Sequence, residues 1–251
     1  MAALRRLWVR VPRGVLALLF FLAFGIGALV IGCVLFPPMA LFRARRVMRA
    51  LVLASSRLFV WAARVTGLFR VVVTPEDRAR LAAMRGCVVV ASHPTLIDVV
   101  LLLAFLPNAT AVAKAEAGRN FFYSRIVNAA FLVNDDPLRL LDEAKTLLAR
   151  GANLVIFPEG TRTPTDAPWR KLHRGAAQVA LHVGAPVQCV SITSDPPVLA
   201  KGQSAWDVGD RIITFTLSAR GEIPVEVSAS DAVQHSAAVA LTARIESLLF
   251  P

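Results

Sequence analysis

The sequence predicts an α/β domain with a mostly parallel central sheet flanked by helices, preceded by membrane-associated helices at the N-terminus. Three observations carry that prediction. Short apolar runs alternate with helical patterns from Phe69 onward. Some of those runs are apolar on both faces (VVVA at 88–91, NLVIF at 153–157). An uncharged stretch of 29 residues lies between Arg13 and Arg43. Continuously apolar strands suit a sheet covered by helices on both faces, because neither face meets water. Strand–helix alternation is the pattern of parallel α/β folds. The 251 residues suffice for one such domain with an attachment. Residues 1–68 are read as the attachment and 69–251 as the α/β domain.

Within the attachment, the uncharged stretch would reach about 43 Å as a helix, at about 1.5 Å per residue. A bilayer core is about 30 Å thick. Pro37-Pro38 predicts a break near residue 36, so the apolar segment is placed at about 14–36. A single spanning helix is the first reading. A hairpin entering and leaving one leaflet is the alternative, because Arg5, Arg6, Arg10 and Arg13 precede the segment and Arg43, Arg45, Arg46 and Arg49 follow it. Such symmetry gives no orientation by the positive-inside rule. A removed signal peptide fits poorly: the apolar region is too long, no A-x-A site follows, and more apolar sequence follows Cys33. Residues from about 40 to 68 mix Arg43, Arg46, Arg57 and Arg64 with apolar residues and Trp61. They predict a basic amphipathic helix in the headgroup layer, or else a surface helix packed on the domain.

In the body of the chain, strands are expected at Phe69–Val73, Cys87–Ala91, Ala109–Ala113, Phe131–Val133, Asn153–Phe157, Pro186–Ile192 and Arg211–Leu217. Helices are expected at Pro75–Met84, Thr95–Leu106, Asn120–Ala129, Pro137–Arg150, Arg174–Val183 and Ser230–Leu249. The stretch 203–209 reads as a loop.

Composition narrows the function classes. A hydrophobic content of 56% exceeds that of an ordinary soluble domain. The net charge of +11 is concentrated: residues 1–85 hold fourteen arginines, no lysine and two acids, while the remainder is nearly balanced. A nucleic-acid binder would carry its basic stripe on the folded body. Arginines beside an apolar segment instead suit anionic lipid headgroups. Cys33, Cys87 and Cys189 lie too far apart for a disulfide framework or a CxxC metal site, and His173, His182 and His235 have no metal-ligand spacing with His93.

Two stretches at strand ends carry chemistry, where α/β sheets collect ligands. In the first, SHPTLID (92–98), Pro94 keeps His93 out of the helix. Thr95-Leu-Ile-Asp98 has the spacing of a capping box. Asp98 then either closes a helix start or faces His93 across the bend; His93 is a packed turn residue or a base. A carboxylate on one ring nitrogen fixes the tautomer and leaves the other free to take a proton. Since no GxSxG elbow or adjacent cysteine supplies a nucleophile, a substrate hydroxyl is the economical choice. In the second, FPEGTR (157–162), Gly160 permits close approach, and Arg162 and Thr161 offer donors for an anion. The bland alternative is a surface turn with a Glu–Arg pair.

His93-x-x-x-x-Asp98 followed by Phe157-Pro-Glu-Gly-Thr-Arg162 resembles the glycerolipid acyltransferase family, over roughly Phe69 to Ile192. Lys171-Leu-His-Arg-Gly175 and Gly184-Ala-Pro-Val187 also sit where that family has a helix start and a proline-bearing strand. The resemblance implies a membrane enzyme of phospholipid biosynthesis at the cytoplasmic face. It would move an acyl group from an acyl carrier protein or coenzyme A thioester to a hydroxyl of a lysophospholipid-like acceptor, with no further cofactor and no metal. His93 would be the base and Asp98 its orienter; Thr95, Glu159, Gly160, Thr161 and Arg162 would shape the acceptor site. The chain departs from the pattern at Ser92 and Thr95 (usually asparagine and serine), at Gln188-Cys189, and at Asn134, where an arginine for acceptor phosphate is usual and Asp135-Asp136 follow. Lys114, Arg119 or Arg125 would then supply the missing charge. An acceptor without phosphate, a non-catalytic lipid-binding scaffold and a hydrolase are the alternatives.

Overall fold

The computed structural model describes residues 2–42, 44–119, 124–163, 171–204, 208–226 and 231–250. Arg43, positions 120–123 and 230 of two expected helices, and residues 205–207 of the expected loop lie outside them.

Every expected strand forms: β1 (Phe69–Val72), β2 (Val88–Ala91), β3 (Ala109–Lys114), β4 (Leu132–Asn134), β5 (Asn153–Ile156), β6 (Val187–Asp195) and β7 (Ile213–Ile223). They make one sheet in the order β1-β7-β6-β2-β5-β3-β4. All neighbours are parallel except β6 with β7. The fold class is therefore α/β with a mostly parallel sheet. β2 lies at its centre, with β5 and β6 on either side.

Alternation along β2 explains its uniform hydrophobicity. Val89 and Ala91 join the core on one face, with Leu81, Leu101, Leu102 and Phe215. Val88 and Val90 join the other, with Leu147, Val179 and Ile245. The first face is covered by α4 (Pro75–Ala83), α5 (Asp98–Phe105) and the N-terminal helices. The second is covered by α8 (Pro137–Ala149), α9 (Gly175–Val183) and α10 (Asp231–Leu249). Between β3 and β4 run two short helices, α6 (Ala115–Arg119) and α7 (Ser124–Ala130). The first of these was not expected from sequence.

The N-terminal helices depart from expectation in two ways. The proline pair does not end the helix. α1 (Ala2–Val30) passes through a π-helical turn (Ile31–Leu35) into α2 (Phe36–Leu41). Phe36 N–H bonds Ile31 O, five residues back, and so widens the ladder just before Pro37 and Pro38. The prolines then fall in a first helical turn, where a missing N–H is tolerated. Among the described residues, 10–39 form one helix long and apolar enough to cross a membrane. Its outward stripe, including Val15, Leu19, Leu22, Ile26, Val30 and Val34, is exposed.

The second departure is Arg13, expected among headgroups. It instead donates to the carbonyls of Gly67, Leu68 and Arg211 at 2.9–3.4 Å, tying α1 to the start of β1 and the approach to β7. An aromatic row continues the contact. Phe20 and Phe24 meet Phe59 of α3 (Arg45–Val65) at ring-centroid distances of 4.9 and 4.4 Å, and Phe59 meets Phe69 at 5.7 Å. Further along, Gly32 admits α7: a Cβ there would come within 3.3 Å of Ile126. α3 packs one face on its neighbours and leaves the other open. It buries Met48, Leu53, Phe59 and Ala63 on the domain and leaves Val47, Leu58, Trp61 and Val65 exposed.

Candidate active site

Because β2 and β5 are parallel neighbours, the segments after them emerge side by side, and both signature stretches share one edge. His93 Nδ1 lies 2.8 Å from Asp98 Oδ2. Asp98 also accepts the Thr95 N–H at 2.6 Å and the Thr95 hydroxyl. The capping box is thus half realised: the carboxylate reaches back to the Thr95 N–H, but the hydroxyl donates to it instead of capping the helix. Thr95-Leu-Ile consequently forms a turn, and α5 starts at Asp98 rather than at the expected Thr95.

Asp98 has no solvent exposure. Burial raises its carboxyl above the ordinary carboxylate range, while the His93 and Thr95 contacts pull it down. The His93 ring stays partly open and stacks on Phe157 at 4.3 Å between centroids. With Nδ1–H donated to the carboxylate, Nε2 carries the free lone pair.

The second stretch is clamped to the first. Glu159, almost fully buried, accepts the His93 N–H at 2.7 Å, and Thr163 N–H donates to His93 O at 2.9 Å. Gly160 sits at φ +62, and a Cβ there would meet the His173 ring at 3.1 Å, so both conformation and space call for glycine. Arg162 Nη1 donates to Leu199 O and Ala200 O, and Leu96 N–H also bonds Leu199 O. The segment after β6 therefore closes the third side of the site.

The other residues expected at the site differ in what they touch. Thr95, expected at the acceptor site, is fully buried with both donors on Asp98, so it steadies the carboxylate. Arg162, expected on the acceptor phosphate, holds the 199–200 loop through one nitrogen. Thr161 is exposed at the rim. Lys114 ends β3 on the same sheet edge, in register with Asn134. Among the described residues it makes no hydrogen bond to His93, Asp98 or the Glu-Gly-Thr-Arg turn. Arg119 closes α6, and Arg125 sits on α7 beside the π-turn.

The acidic pair after Asn134 is also accounted for. Asp136 caps α8 by accepting the Leu138 and Arg139 N–H groups, and Asp135 lies 3.9 Å from Arg139. At the family's usual asparagine position, the Ser92 hydroxyl bonds both Ile192 N and Ile192 O, locking β2 to β6 beneath the histidine. The Phe157 stack, the His173 ring and the 199–200 carbonyls escaped the sequence reading. The adjacency of β6 to β2 would have pointed to the last of these, but pairing is invisible in sequence. Cys87 and Cys189 are buried thiols pushed up to about 12 by desolvation. No group of three or more potential metal ligands occurs among the described residues.

Comparison with known proteins places the chain among acyltransferases. The acyltransferase family model matches residues 70–193. A 1-acyl-sn-glycerol-3-phosphate acyltransferase of Pseudomonas aeruginosa is 28% identical over 178 residues, covering 67% of each chain. The crystal structure of the 1-acyl-sn-glycerophosphate acyltransferase PlsC from Thermotoga maritima superposes with a TM-score of 0.60 at 24% identity, covering 94% of this chain and 97% of that one. The chain belongs to the glycerolipid acyltransferase family and is an acyltransferase.

Proposed function

We propose that the protein is a membrane-attached O-acyltransferase that moves a fatty acyl group from an acyl carrier protein or coenzyme A thioester to a hydroxyl of a lysophospholipid-like acceptor. Residues 1–68 attach it to the cytoplasmic face of the membrane, and 69–251 carry the chemistry. The observation that carries the reading is the Nδ1–Asp98 hydrogen bond of 2.8 Å, which leaves Nε2 of His93 as a proton acceptor in a partly open ring.

In the transfer, the acceptor O–H gives its proton to Nε2 as its oxygen attacks the thioester carbonyl carbon. The C–S bond then breaks, and the thiolate leaving group takes the proton back from the imidazolium. Both the ester and the thiol are formed without a net proton change. Asp98 orients the ring and balances the transient imidazolium. Thr95 and Glu159 act as positioning residues through Asp98 and the His93 backbone. Gly160 gives the turn its room, while Thr161, the remaining Arg162 nitrogens and Lys114 serve the acceptor. Lys114, opposite Asn134, supplies the cation that the asparagine lacks, which favours a phosphate-bearing acceptor.

The test is thiol release and acyl-lipid formation by purified His93→Ala protein. A general base of this kind contributes roughly 10²–10⁴ in rate, so a loss of that size is expected. Undiminished transfer would end the proposal. Lys114→Ala should raise KM for a phosphate-bearing acceptor far more than for a neutral one; equal effects would move the acceptor to the neutral class.

A further inference from the structure

Beyond the amino end of β4, a cleft of about 620 Å³ opens between the start of α3, the end of α7 and the face of α8. Four guanidiniums, Arg45, Arg46, Arg49 and Arg150, line it against two acids, Asp142 and Glu143. Glu143 is already engaged by Arg139 at 3.3 Å. None of the four arginine side chains forms a hydrogen bond or ion pair with a described residue, and the Arg49 Nε is buried without a partner. Burial and the three neighbouring arginines together lower the Arg49 pKa from its ordinary value.

Local structure makes this arrangement costlier still. α3 begins at Arg45 with no acid in its first turn, and Ala44 provides no side-chain cap. Its N-terminus therefore holds unsatisfied N–H groups and the positive end of a 21-residue helix beside three more positive charges. An anion placed there meets both the dipole and the arginines. The location selects among anions. Ala44 lines the cleft, and just before it Leu41 and Phe42 are each 80% exposed at the end of the apolar helix. Val47, one turn into α3, is also exposed. The mouth of the cleft thus adjoins the surface that the membrane-attaching helix presents.

We infer that this cleft binds the phosphate of an anionic phospholipid headgroup, at a site separate from the acyl-transfer centre at the carboxyl ends of β2 and β5. It would hold the domain at a fixed depth on anionic leaflets. The inference does not depend on the role of His93.

The full-length protein, purified in non-ionic detergent, can be presented with phosphatidylcholine or phosphatidylglycerol and the retained lipid weighed by native mass spectrometry. Wild type is expected to retain the anionic lipid preferentially. Arg49→Gln with Arg150→Gln should cut that preference by about fivefold for each arginine removed, from roughly 1 kcal/mol per basic residue. Neutralising the opposing charges with Asp142→Asn and Glu143→Gln should strengthen it, a change of opposite sign that does not depend on the arginine variant folding. An undiminished preference in the arginine variant, or no gain in the acid variant, would overturn the inference. So would displacement of the lipid by inorganic phosphate at matched concentration, which assigns the cleft to a free anion. Displacement by acyl carrier protein would assign it to an acidic protein and overturn it equally.

Discussion

At the carboxyl ends of β2 and β5, a fully buried carboxylate is met by three donors and a second acid holds the backbone of the histidine it serves. In the cleft beyond the amino end of β4, four arginines converge with only two acids facing them, one of which belongs to Arg139. In the first region the histidine ring and its carboxylate are held in place by contacts within the chain. Such a hold suits the general base proposed at His93, because reorganisation during reaction would raise the barrier. The second region gathers more positive than negative charge, which an outside anion would offset. The first arrangement suits the proton transfer proposed for His93; the second suits the anion proposed for the cleft.

The largest effect that would sharpen this contrast is at Asp98. Asp98→Asn preserves shape but removes the charge that orients His93 and balances the imidazolium, and turnover should fall by about 10²–10⁴. Stability should move the other way. Asp98 has a folded-state pKa raised by burial. The raised carboxyl contributes stability in full only below its unfolded pKa of about 3.9 and loses it as pH rises through the folded value. The asparagine variant should therefore gain on wild type in melting temperature as pH climbs through that window, with the gain vanishing in acid. A variant that loses stability as pH rises relative to wild type would refute the account.

Next in size is Asn153, at the opposite end of the same strands. Its side-chain amide donates to Met84 O and Pro107 O, and its carbonyl faces the Cys87 N–H and thiol. Asn153→Ala leaves those buried groups unpaired and should cost about 3 kcal/mol, read by denaturant unfolding. Activity per folded molecule should be unchanged, because nothing it touches reaches His93. The smallest effect belongs to the cleft: Arg49→Met removes an uncompensated charge and should leave stability unchanged or raise it by about 0.5 kcal/mol without anionic lipid. A loss like that of Asn153→Ala would mean that Arg49 has a structural partner, and the contrast would fail.

Much of the fold was legible because its signals are local. The seven strands follow from apolar runs, and the separation between His93 and Asp98 becomes contact through a bend that Pro94 enforces. Elsewhere the local signals misled. Pro37-Pro38 predicts a break, but the π-turn before it absorbs the defect. Thr95 reads as a cap and a substrate contact, yet tertiary burial assigns both its donors to Asp98. Arg13 reads as a headgroup ligand but finds three carbonyls from residues 54 to 198 positions away.

What the sequence determined by itself was the seven strands and most of the helices, the apolar N-terminal helix and the chemistry available at two strand ends, because periodicity, proline and side-chain type act within a few residues. What only the tertiary structure decided was which strand ends are neighbours, which polar groups are consumed internally, and which arginines are left to face one another. Strand order and the placing of α3 and α8 on one cleft depend on contacts between distant segments, and no short stretch of chain encodes them alone.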